Sequence, residues 1–126
     1  MATVKQIWKS ALPRATKVVA GEAGLSREVS WVATLRPTPP AFAALKGGEL
    51  AIVSLRSARL LDERITLSHL MESLGEIVVA AVAVLGEVSS EAKEAAERMT
   101  MPLLVLPTGS SLRGIEQAVI RVITEQ

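Results

Sequence analysis

The run from Ile77 to Leu85, Ile-Val-Val-Ala-Ala-Val-Ala-Val-Leu, holds no polar side chain. Successive residues of a strand face opposite sides of a sheet, so a strand apolar at every position must be covered on both faces. The run is therefore predicted as the central strand of a covered sheet, bounded by Gly75-Glu76 and Gly86-Glu87. It is too short for a membrane span, which takes about 20 apolar residues. A buried helix segment is the rival reading: the β-branched Ile and Val favour the strand, and the alanines weigh against it.

The flanking segments alternate between helical and strand periodicity. Thr3-Val4-Lys5-Gln6 has the spacing of a capping box, and Val4, Ile7, Trp8 and Ala11 recur on one helix face before Pro13 ends it. Lys17 to Ala20 reads as a strand closed by Gly21, with Gly24 in the same turn and positive φ expected at both glycines. Glu28 to Leu35 alternates as a strand whose drier face is Val29, Trp31, Ala33 and Leu35, and it is expected to pair with Lys17 to Ala20. Pro37 to Pro40 stops it, and Ala41 to Leu45 is expected as a short helix capped by Lys46-Gly47-Gly48. Glu49 to Leu55 follows as a strand, whereas Arg56 to Arg64 fits a loop with some helix. Thr66 caps a predicted helix through Leu74, ended by Gly75, and Ser90 caps another to Met99 with an alanine inner face. Met101 to Leu106 is a strand. Pro107-Thr108-Gly109 then turns into a last helix, capped by Ser110 or Ser111, with Ile115, Ala118, Val119, Val122 and Ile123 on its buried face. Ile120 falls off that stripe and is expected to be exposed or partly covered. With Gln117 and Arg121 beside it, Ile120 suggests weak self-association through this helix.

Strands returning after a helix lie parallel to their predecessors. The fold expected is α/β: a mixed, largely parallel five-stranded open sheet with helices on both faces, in a single domain over residues 1–126. Gly21, Gly24, Gly47 and Gly48 are assigned to structural turns.

Composition narrows the function. The only aromatics are Trp8, Trp31 and Phe42, and the formal net charge is +1. Neither the stacking platforms nor the phosphate neutralisation of a nucleic-acid binder is available. Residues 1–59 hold nine Lys or Arg against three Glu, and residues 60–126 hold five against ten acids. Interleaved halves neutralise each other in an α/β fold; the sharper reading is a self-complementary dimer contact. The absence of cysteine excludes disulfides and thiolate metal sites, and a reducing cytoplasm is the default compartment. No membrane segment, metal or cofactor is expected.

Ligands of open parallel sheets bind beyond the carboxyl ends of the strands. That rule nominates Ser54, Arg56 and Ser57 in one loop, Glu87, Ser89 and Ser90 in a second, and Thr108, Gly109, Ser110, Ser111 and Arg113 in a third. A Gly-Ser-Ser turn opening a helix aims free N–H groups at one spot and suits a carboxylate or phosphate. The plainer reading is that a serine only caps its own helix and Arg113 is solvated. His69 stands alone, and Glu22, Glu28 and Glu49 have no nucleophile motif to serve, so no catalytic residue is expected.

Val4-Lys5-Gln6-Ile7-Trp8, the stretch Val18 to Val32 with its Ala-Gly-x-x-Gly-Leu-x-Arg-x-Val-x-Trp-Val pattern, Leu45 to Leu50 with Gly-Gly-Glu-Leu, and Met101 to Pro107 together resemble the N-terminal domain of purine catabolism regulator (PucR) family transcription factors. The resemblance covers nearly the whole chain. It implies a bacterial, cytoplasmic regulator in which this domain senses a metabolite or mediates assembly. DNA is then reached only through a separate C-terminal helix-turn-helix domain outside this chain, which is a fragment of a regulator or a stand-alone module. Ser54-Leu55-Arg56-Ser57 stands where relatives tend to have Thr-Thr-Gly, and Thr108-Gly109-Ser110-Ser111 also departs, so a purine effector does not carry over. The function expected is effector sensing, for an anionic or ureide-like metabolite in a homodimer. A dimerisation module without a ligand is the alternative.

Overall fold

The apolar run does become the middle of the sheet, but only its second half is strand. The computed structural model describes residues 2–42 and 44–125. Its strands are β1 (Lys17–Ala20), β2 (Trp31–Thr34), β3 (Glu49–Ser54), β4 (Ala81–Leu85) and β5 (Leu103–Val105), and its α-helices are α1 (Val4–Ser10), α2 (Leu55–Leu61), α3 (Leu67–Ile77), α4 (Ser90–Met99) and α5 (Leu112–Thr124). The strands form one sheet ordered β1-β5-β4-β3-β2. β2, β3, β4 and β5 are mutually parallel neighbours, and β1 closes the far edge antiparallel to β5.

Each face has its own core. Ala51, Val53, Val82 and Val84 meet α2, α3 and α4 on one side, and Leu50, Ile52, Ala81 and Ala83 meet α1 and α5 on the other. All six residues of β3 are buried, as an internal strand covered on both faces must be. Glu49 is the charged exception: its carboxylate accepts from the N–H groups of Lys46 at 2.7 Å and Gly47 at 2.8 Å, closing the turn that feeds the strand. No helix among the described residues is long and apolar enough to cross a membrane.

Several local expectations are corrected. Gly75 does not end α3; it sits inside the helix, where a Cβ would lie 2.1 Å from Met99 Sδ, so its missing side chain lets α3 and α4 approach. The helix runs on to Ile77 and stops at Val78, which takes φ +64° and leaves its side chain 63% exposed. α4 is capped by Ser89, not Ser90. No helix forms at Ala41, Phe42, Ala44 or Leu45, and Ala43 lies outside the described residues. Arg36 N–H and Nε instead donate to Ala41 O and Pro40 O, folding the segment back on the end of β2.

β1 and β2 do not pair; they lie on opposite edges. The chain between them is held across the amino end of the sheet. Gly21, at φ +70°, donates its N–H to Glu97 Oε1 at 2.7 Å, and any Cβ there would lie 2.2 Å from Met101 O. Gly24 has no positive φ, contrary to expectation, but a Cβ would lie 2.2 Å from Thr100 O. Arg27 then donates to Val79 O at 3.1 Å and Met99 O at 3.0 Å, tying the exits of α3 and α4 together. β2 is also shorter and wetter than its alternation suggests: Val32, from the expected polar set, is buried, whereas Trp31 is 46% exposed.

Candidate functional site

The loops leaving adjacent strands β4 and β5 part company. After β4 the chain passes to α4, on the face of α2 and α3; after β5 it passes to α5, on the opposite face. A crevice opens beyond the carboxyl ends of parallel strands where successive loops diverge in this way. Here it has a volume of about 380 Å³.

Ser54 at the end of β3 caps α2, its Oγ accepting from Ser57 N–H at 3.3 Å. α2 therefore begins directly at the strand end, and Arg56 and Arg59, one turn apart, both line the crevice. Leu85, Gly86 and Glu87 form the second wall. Gly86 runs so close beneath Leu55 that a Cβ would meet Leu55 Cδ1 at 2.9 Å. Thr108 and Gly109 form the third wall; Gly109 takes φ +84°, with nothing within 4 Å of the position a Cβ would occupy. A second recess of about 500 Å³, bordered by Glu63, Thr66 and Glu91, adjoins the crevice through Leu55, Arg59 and Glu87.

Of the residues nominated from sequence, Ser54, Arg56, Glu87, Thr108 and Gly109 come together. Ser57, Ser89, Ser90, Ser110, Ser111 and Arg113 do not line the crevice. Ser110 Oγ donates to Pro107 O at 2.5 Å and Ser111 Oγ caps α5 by accepting from Gly114 N–H, so both serines are occupied in shaping the turn. Arg59 and Gly86 were not nominated. Arg59 was legible in principle: once Ser54 is read as a helix cap, Arg56 and Arg59 fall on one helical face.

Among the described residues the crevice arginines have no carboxylate partner. Only two ion pairs form among the described residues, Arg64–Asp62 and Arg98–Glu72. Both lie outside the crevice; in the first, hydrogen bonds from Arg64 hold the exposed Asp62 carboxyl below its usual range. Arg59 and Glu87 share two recesses yet do not pair. No three His, Cys, Asp or Glu side chains among the described residues converge to hold a metal. A larger recess of about 600 Å³ at the amino end of the sheet is bordered by Arg27, whose guanidinium is already bonded to two carbonyls, and by the Gly47-Gly48 turn.

The stretches with the most distinctive residue patterns lie away from the crevice. Gly21, Gly24, Arg27 and buried Val29 hold the amino end of the sheet, and Gly47, Gly48 and Glu49 form the self-capped turn into β3. They build the scaffold on which the crevice loops stand. The model of a family described as the purine catabolism regulatory protein-like family matches residues 6–123. No curated protein matches the chain.

Proposed function

The chain belongs to the purine catabolism regulatory protein-like family, and from that premise we propose that it is a regulatory domain that senses a small anionic effector in the crevice beyond β3, β4 and β5. The observation that carries this reading is the pair of arginines, Arg56 and Arg59, one turn apart on the crevice wall without a carboxylate partner. An effector carboxylate or phosphate meets their guanidinium groups, which bind such groups in a planar fork. Ser54 and Thr108 add hydroxyls, and Gly109 leaves space for close approach to the backbone. Glu87, shared with the adjoining recess, accepts from N–H groups on the same ligand, as an amine or ureide supplies.

The domain acts in the cytoplasm and leaves DNA contact to a separate domain: its near-neutral charge does not support phosphate tracking, and its three aromatic residues supply no stacking platform. No reaction is assigned to it. A ligand-free assembly module is the rival reading, favoured by the uncovered edge of β2.

Thermal unfolding against a panel of small carboxylates, phosphate esters, ureides, amino acids and purines tests the proposal. A ligand that binds only the folded state at a hundred times its Kd stabilises by about 2.7 kcal/mol, which raises the midpoint of a domain this size by on the order of 10 °C. Arg56→Gln combined with Arg59→Gln is expected to abolish the rise while leaving the unliganded midpoint in place. A flat response of the wild type across the panel refutes the sensing role.

A further inference from the structure

The two edges of the sheet are built differently. β1 carries Lys17 at its start and a register shift between Val18 and Ala20, devices that discourage a further strand from adding to an edge. β2 is Trp31-Val32-Ala33-Thr34, with no charge, proline or glycine and a regular register against β3. Leu35 N–H donates to Ile52 O, so alternation along the strand turns the backbone groups of Thr34 and Val32 away from β3. They floor an open trough of about 410 Å³, walled by Ala44 and Leu45 on one side and by Glu116 and Ile120 of α5 on the other. Trp31 stands at its amino end.

We propose that this edge is a homodimer seam, in which β2 pairs antiparallel with β2 of a second copy about a two-fold axis at Ala33. The register follows from which groups point outward. Val32 and Thr34 of one copy exchange hydrogen bonds with Thr34 and Val32 of the other, and Ala33 faces its own counterpart in a non-hydrogen-bonded pair. Charge selects a second copy and its direction. The strand is flanked by exposed Glu28 before it and exposed Arg36 after it, and neither belongs to an ion pair among the described residues. Antiparallel pairing lays the Arg36 end of each strand beside the Glu28 end of the other, whereas parallel pairing sets like charges together. Each Trp31 then lies over the apolar end of the opposite trough, near Leu35 and Leu45, and the Ile120 walls meet on the other face. The five-stranded sheets join into one.

The chain has no cysteine, so a single Ala33→Cys substitution puts one thiol on each side of the axis. Non-hydrogen-bonded partners have Cα atoms about 4.5 Å apart, within the disulfide range. Under mild oxidation, Ala33→Cys is expected to convert to a covalent dimer many times faster than Leu60→Cys, whose site is 71% exposed on α2. Adding Trp31→Glu is expected to remove that advantage. By sedimentation velocity the wild type should approach twice its monomer mass as concentration rises, and Trp31→Glu should stay monomeric with an unchanged circular dichroism spectrum. Glu28→Arg should weaken association, and Glu28→Arg with Arg36→Glu should restore it. Cross-linking of Ala33→Cys no faster than Leu60→Cys overturns the seam, as does a folded wild type that is monomeric throughout. Cross-linking through Ile120→Cys but not Ala33→Cys also overturns it, because association would then run through α5 without strand pairing.

Discussion

Arg27→Met removes a guanidinium while keeping most of the aliphatic stem that packs beneath it. The group donates at 3.1 Å to Val79 O and at 3.0 Å to Met99 O, both partly buried. Hydrogen bonds to a charged group contribute about 1.5–3 kcal/mol each, and the partial exposure of Arg27 argues for the lower end because water can replace some of the donors. The positive charge also faces the carbonyl end of α4, where it interacts favourably with the helix dipole. The expected loss is about 3 kcal/mol, a large fraction of the total stability of an ordinary domain. Arg27→Lys should recover no more than about half of it, since an ammonium lacks the fork that spans two carbonyls. Urea denaturation followed by far-UV circular dichroism reads this directly, with an unchanged slope showing that the denatured state is unaffected. A loss below about 1 kcal/mol, or full rescue by Lys, would show that Arg27 does not hold the exits of α3 and α4 together.

Glu49→Gln leaves one oxygen for two N–H donors and turns an NH₂ toward the other at a site only 6% exposed, so it should cost about 2 kcal/mol in the same assay; a neutral result would mean that the Lys46–Gly48 turn closes without the carboxylate. Gly75→Ala should destabilise by about 1–3 kcal/mol through overpacking against Met99, and combining it with Met99→Ala should cost less than the two single losses together. Simple additivity in that double-mutant cycle would place the clash elsewhere.

Hydrophobic periodicity located the layers because it is a property of burial: the stretch ending in Ala81–Leu85 is apolar at every position, and that strand is central. It misplaced the start of the strand because Ile77 and Val78 are apolar without being buried, and a run of letters does not distinguish an exposed helix end from a covered strand. Gly75 looked like a stop signal, but a glycine inside a helix where another helix must come close carries the same letter. The pairing of β1 with β2 followed from their nearness in sequence. The two are separated by the Arg27 contacts to Val79 and Met99, which join positions 52 and 72 residues apart and leave no local trace. Five of the eleven nominated residues converge because the rule about strand ends is topological; the serines after β5 do not line the crevice, and their hydroxyls serve the turn and the cap.

Helix α5 starts just after the crevice turn and runs beside the open edge. Its thirteen residues make a rod about 20 Å long, capped by Ser111 just after the Thr108-Gly109 turn. Farther along, Glu116 accepts a hydrogen bond from Thr34 and Ile120 forms a wall of the trough beside β2. A rod of this length tilts rather than bends, so a displacement of the turn at its head acts as a lever on that wall. If a ligand fills the crevice and a second copy pairs at the edge, any linkage between them runs equally in both directions: whatever factor the ligand applies to pairing, pairing applies to the ligand.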